Sequence, residues 1–126
     1  MTVVLDAGAF LAVERSDRRV LALLKAELLA RRVPRTHGGV VAQIWRGGSG
    51  KQASVARLLA ATEVVALDDR LGRRAGVLLG RARGHDAIDA GVVMLASDGD
   101  TILTSDASDL RSLAVTAAVH VDIVPI

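Results

Sequence analysis

The stretch Thr2-Val3-Val4-Leu5-Asp6-Ala7-Gly8-Ala9-Phe10-Leu11-Ala12-Val13-Glu14 decides the fold. Val3, Val4 and Leu5 follow one another without polar alternation. That is the pattern of a short strand buried on both faces, as in a parallel sheet. The strand stops on Asp6, and the run from Gly8 to Val13 has helical composition. A strand that ends on an acid and turns into a helix opens a βα unit. Open parallel sheets bind their ligands beyond the carboxyl ends of such strands. An Asp placed directly after a buried apolar strand has few purely structural reasons to be there.

Working outward, short apolar strands keep alternating with helices. Ser16 or Asp17 caps a helix to about Arg32, with Val20, Leu21, Leu24 and Leu28 on one face. Val33 to Thr36 is a short extended piece, biased by Pro34. Val40 to Trp45 reads as a short helix stopped by Gly47-Gly48. Ser49 and Gln52 form a capping box for a helix to about Ala61. Glu63 to Leu67 is a strand, and Asp68 or Asp69 caps a helix to about Ala82. Gly84-His85-Asp86 is a turn, followed by a helix to about Ser97. Thr101 to Thr104 is a strand, Asp106 to Leu113 a short helix, and Val119 to Val124 a last strand. The order β-α-α-β-α-α-β-α-α-β-α-β predicts a three-layer α/β/α fold around a parallel sheet of four to five short strands. Its 126 residues, without a linker or repeat, form one domain, 1–126.

Composition narrows the function classes. There is no cysteine, which excludes disulfides and thiolate metal sites and fits a reducing, cytoplasmic setting. The N-terminus does not read as a signal peptide, and no apolar stretch approaches the ~18 residues needed to span a bilayer. Fourteen of the sixteen basic residues are Arg and eleven of the fourteen acids are Asp. Arg suits bidentate phosphate contacts, and Asp suits caps, turns and hard-metal ligation. With Phe10 and Trp45 the only aromatics, base stacking is limited and any nucleic-acid contact rests on Arg and Lys. Both aromatics are expected in the core or at a dimer interface.

Three acids fall at one edge of the predicted sheet. Asp6 ends the first strand, Asp106 lies two residues past Thr104, and Asp89 lies in the first turn of the helix feeding that strand. Repulsion among converging carboxylates raises their pKa values, and a divalent cation relieves it. An all-oxygen ligand set favours Mg²⁺ or Mn²⁺. Asp86 and Asp89 are three residues apart, so either could be only a helix cap. Asp106 and Asp109 carry the same ambiguity.

With these residues in view, the chain resembles the PIN-domain ribonucleases, in particular VapC-type toxins of bacterial toxin–antitoxin pairs. The match runs nearly end to end, through TVVLDAGAFLAVE, RTHGGVVAQIWRGG, HDAIDAGVVMLAS and DTILTSDASDL. The resemblance implies a Mg²⁺- or Mn²⁺-dependent endoribonuclease acting on RNA, homodimeric and inhibited by a cognate antitoxin. Carried over by position, it implies Asp6, Asp89 and Asp106 as catalytic metal ligands, with Asp109, Asp86, Gln43 and Thr104 secondary. Two positions depart from the family pattern. Gln43 stands where a Glu is usual, which removes a negative charge and lowers the expected metal affinity. Gly8 stands where a Ser or Thr is common, which removes a hydroxyl. These departures support a competing reading, a catalytically weak PIN-like domain that only binds RNA or an antitoxin-like partner.

Other features carry less. Gly47 to Gln52 superficially resembles a phosphate-binding loop, but Trp45 occupies the first Gly position and Gln52 the Ser/Thr position. His37, His85 and His120 have no ligand spacing. His85 reads as a turn residue and His120 as the wet side of an edge strand. A receiver-type phosphoacceptor domain would need paired acids after the first strand and a late Lys, whereas Asp6 stands alone and the last Lys is Lys51. Arg15, Arg46 and Arg83 are the arginines expected around the pocket.

Overall fold

The computed structural model describes residues 1–48 and 50–126. Five parallel strands form one sheet: β1 (Val3–Leu5), β2 (Arg35–His37), β3 (Glu63–Val65), β4 (Thr101–Thr104) and β5 (Asp122–Pro125), in the order β3-β2-β1-β4-β5. β1 is central, in register Val3↔Thr101 through Leu5↔Leu103 with β4 and Val4↔Arg35 with β2. This explains its unbroken apolar run, since all three of its residues are buried. The outer strands β3 and β5 carry exposed polar residues, as sheet edges should.

Among the described residues seven α-helices cover the sheet: α1 (Ala7–Glu14), α2 (Arg18–Leu29), α3 (Gly38–Ile44), α4 (Ala53–Ala60), α5 (Asp69–Ala82), α6 (Ala87–Leu95) and α7 (Ala107–Thr116). α1 packs with α2, α3 and α4, while α5, α6 and α7 pack on one another, so the expected three-layer α/β/α architecture is present. The chain builds outward from β1 through β2 to β3, then crosses back to β4 on the other side of β1. That reversal makes the carboxyl ends of β1 and β4 the switch point of the sheet, where a ligand crevice forms. Among the described residues, no helix is long and apolar enough to cross a membrane.

Local chemistry explains the boundaries. Asp17 caps α2, accepting from the Arg19 and Val20 amides at 3.0 and 3.2 Å, while Ser16 takes the left-handed conformation (φ 59°). The helix stops at Leu29, three residues short of expectation. Arg31 turns left-handed there (φ 58°), and the Arg32 amide folds back to the Glu27 carbonyl. The Arg32 guanidinium grips the largely buried Glu27 carboxylate at 2.7 and 3.0 Å, and this hydrogen bond holds Glu27 below its usual carboxylate range. Of the expected apolar face of α2, Val20 and Leu24 are buried, whereas Leu21 and Leu28 line an open groove against α4.

The proposed capping box involves Ser49, which lies outside the described residues. Gln52 is buried and ties the end of α3 to the turn after it. It accepts from the Arg46 and Gly47 amides and donates to the Ile44 carbonyl at 2.7 Å. β5 begins at Asp122 rather than Val119, because Ala118 turns left-handed (φ 55°) and the His120 amide bonds Asp98 instead of a neighbouring strand. His120 is therefore exposed ahead of the strand. Phe10 is fully buried in the core, but Trp45 is 41% exposed and is not a core residue.

On α5, a Cβ added at the exposed Gly76 would meet nothing within 4 Å. Glycine there only adds unfolded-state freedom, so Gly76→Ala is expected to stabilise the fold by about 0.5–1 kcal/mol. Urea denaturation checks this, and a loss of stability would show that the site does not tolerate the methyl.

Candidate metal centre

Asp6 follows β1 and caps α1. Its Oδ1 accepts from the Ala7 amide and its Oδ2 from the Thr104 hydroxyl, both at 2.7 Å. The Thr104 oxygen in turn accepts from the Asp106 amide at 2.8 Å. The ends of β1 and β4 are thus joined by the chain Asp106 N–H, Thr104 O–H, Asp6 carboxylate. Thr104 is fully buried, so its hydroxyl is fixed by these two partners.

Asp86 and Asp89 divide the two roles left open by their spacing. Asp86 is the cap of α6, its Oδ1 accepting from the Asp89 amide at 2.9 Å. Asp89 turns inward and is 5% exposed. Its Oδ2 is buried without a hydrogen-bond partner among the described residues. Asp106 stands at the start of α7 without making a side-chain cap bond, and Asp109 lies in the first turn of that helix. Asp89, Asp106 and Asp109 each bring a carboxylate oxygen within 4.8 Å of the others. Asp6 lies beside this trio and acts on Asp89 and Asp106 through its charge. Gln43 is exposed on α3.

The electrostatics follow from the crowding. Burial, then the charges of Asp6, Asp86, Asp106 and Asp109, push the Asp89 carboxyl up to about 7. Asp106 is also raised, by desolvation first and then by the charge and hydrogen bonding of Asp109. A buried carboxylate with an unpartnered oxygen, crowded by further carboxylates, is costly in a protein interior. A hard divalent cation removes that cost, and an all-carboxylate donor set suits Mg²⁺ or Mn²⁺. The residues present therefore fit such an ion.

A cavity of about 350 Å³ opens beside Asp89 and Asp109, lined also by Arg83, His85, Asp86 and Ser112. Of the arginines expected around the pocket, Arg83 lines this cavity. Arg46 instead turns its guanidinium onto the carbonyls of Ala42, Gln43 and Trp45, closing the end of α3. His85, a turn residue beside Asp86, also lines this cavity.

Two features were not legible in the sequence. A Cβ at Gly8 would stand 2.6 Å from the Ser105 hydroxyl oxygen, so glycine is required for Ser105 to pack against the start of α1. The hydroxyl missing at position 8 is thus matched by one from the adjoining strand end. His37, a polar residue closing β2, is fully buried, with Nδ1 accepting from the Gly39 amide at 3.0 Å and Nε2 2.9 Å from the Ile88 carbonyl. Only the unusual polarity of a Thr-His pair at a strand end hinted at it.

No protein-family model matches the chain. No curated protein matches it by sequence. Among solved structures it is similar to a chain in the crystal structure of VapBC2 from Rickettsia felis bound to a DNA fragment from their promoter. The TM-score is 0.70 at 14% identity, covering 98% of this chain and 99% of that one. The two share a fold from end to end, and the chain accordingly has the three-layer PIN-like architecture, with an acidic cluster at the carboxyl edge of its sheet.

Proposed function

We propose that this chain is a Mg²⁺- or Mn²⁺-dependent endoribonuclease, the toxin component of a type II toxin–antitoxin pair. The observation that carries the reading is the buried Asp89, whose Oδ2 has no hydrogen-bond partner among the described residues and whose carboxylate lies within 4.8 Å of those of Asp106 and Asp109 at the switch point of a PIN-like sheet. Asp89, Asp106 and Asp6 are the metal ligands in this reading, with Asp109 completing the acidic wall. Bound there, the cation supplies charge neutralisation at the scissile phosphate and lowers the pKa of water. Thr104 holds Asp6 and the Asp106 backbone in fixed relation. Arg83, on the cavity wall, contacts the RNA backbone. Asp86 orients Asp89 by accepting from its amide. An RNA substrate, a homodimer and a cognate antitoxin belong to the same proposal.

An RNA digest with and without Mn²⁺, wild type against Asp6→Ala, tests it. Metal-dependent cleavage by the wild type alone is the expected result, and equal cleavage by both proteins overturns the assignment. The neutral, exposed Gln43 favours a second reading, a PIN-like domain that binds RNA or a partner without cutting. Calorimetry separates the two: no Mn²⁺ binding at millimolar concentration, with partner binding intact, selects the second.

A further inference from the structure

We propose that Thr36 and His37, which close β2, form a clip that aims Asp6 and Asp89, making His37 a positioning residue of the metal site. The inference rests on the metal-site reading above and adds to it residues that supply no ligand.

The geometry concerns two peptide units. The Ile88 carbonyl and the Asp89 amide belong to one rigid plane. His37 Nε2 lies 2.9 Å from that carbonyl, and Asp86 Oδ1 accepts from that amide at 2.9 Å. Because His37 Nδ1 accepts from the Gly39 amide, the ring proton sits on Nε2 and is donated to Ile88. The peptide preceding the Asp89 Cα is therefore held at both ends. The Leu5–Asp6 peptide is held in the same way. Its carbonyl accepts from the Thr36 hydroxyl at 2.8 Å, and its amide donates to the Leu103 carbonyl at 3.1 Å. Consecutive residues of one strand thus fix the backbone of two acids 83 positions apart in sequence.

The slot for the His37 ring is built from two absent side chains. A Cβ at Gly91 would stand 2.6 Å from Nε2, and one at Gly39 would stand 2.7 Å from Cε1. Packing alone asks only for an apolar side chain here. Burying an imidazole is costly unless both nitrogens are satisfied, and here both are used to join α3 to α6. Asp89 Oδ2 has no hydrogen-bond partner among the described residues, so its direction depends on how the Asp89 backbone is held.

The test compares Mn²⁺ affinity by calorimetry and amide exchange by NMR in wild type, His37→Asn, His37→Gln and Gly91→Ala. Asn keeps a side-chain acceptor for the Gly39 amide, a favourable helix cap, but is too short to reach Ile88. Gln carries a donor about as far as Nε2. His37→Asn is expected to weaken Mn²⁺ binding by roughly tenfold or more. The Asp89 and Ala90 amides should exchange faster in this variant, with α7 unchanged. His37→Gln should recover most of the affinity, and Gly91→Ala, whose methyl displaces the ring, should reproduce the loss. Wild-type affinity and exchange in His37→Asn overturn the clip. If the wild type itself binds no Mn²⁺, the metal reading fails and exchange at Asp89 alone decides the clip. Should His37→Asn not fold, Gly91→Ala decides it by the same readouts.

Discussion

Asp89→Asn is expected to abolish metal-dependent RNA cleavage, by on the order of 100-fold or more, while making the metal-free protein more stable at pH 8. Both effects have one cause. Asp89 is 5% exposed, its Oδ2 has no partner among the described residues, and burial, then the surrounding acids, push its carboxyl up to about 7. At pH 8 the native state holds this group ionised against burial and like charge. A folded value of about 7 against 3.8 unfolded sets an upper bound of about 4 kcal/mol on that cost. Asn is nearly isosteric, carries no charge, and offers an amide donor to the neighbouring carboxylates. A gain of about 2 kcal/mol corresponds to roughly 6 °C in a domain of this size. The same change removes a ligand oxygen, so Mn²⁺ should no longer raise the melting temperature. A lower melting temperature at pH 8, or cleavage kept at the wild-type rate, would sink this account.

The metal-free protein should lose stability as pH rises from about 5 to 7, and Mn²⁺ should reverse that trend. Between 3.8 and about 7 the unfolded chain has released the Asp89 proton while the folded chain still holds it. Raising the pH therefore favours unfolding, by at most about 1.4 kcal/mol per pH unit, and above 7 the full penalty is present. Asp106, also raised, acts in the same direction. Glu27 acts in the opposite sense. Its carboxyl is held below 4.5 by Arg32, so its stabilisation is complete above that value and is lost only as pH falls below it. Glu27 therefore adds no change between pH 5 and 8. Mn²⁺ competes with the Asp89 proton, so its affinity should climb with pH and level off above about 7. Thermal scans at pH 5.5 and 8, with and without 1 mM Mn²⁺ (roughly 2–3 kcal/mol of stabilisation if this is about 100 times Kd), would show it. A melting-temperature shift that is equal at both pH values would count against Asp89 as a ligand.

What the sequence determined by itself is local in origin. The unbroken Val3–Leu5 run announced a central buried strand because no polar residue interrupts it. Asp6 was conspicuous because it ends that run. The five strands and seven helices were legible for the same reason, since periodicity and caps act over a few residues. Helix and strand ends were less so. α2 stopped early at a left-handed Arg31, and β5 started late because His120 reached Asp98.

The site needed the tertiary structure. Asp86 and Asp89 sit on the same helical turn and are equivalent as cap candidates in sequence. The packing of α6 on β1 and β2 directs Asp89 inward and leaves Asp86 as the cap. Gly8 lacks a hydroxyl in sequence, but in the fold Ser105, 97 residues away, packs its own against that position. His37 has no ligand spacing in sequence, whereas in the fold its ring is wedged against Gly39 and Gly91 and bonded to Ile88. The strain at Asp89 has the same origin. No spacing along the chain reveals that four other acids crowd one carboxylate, because repulsion and burial depend on distances that only the closed sheet and its two helical layers bring about.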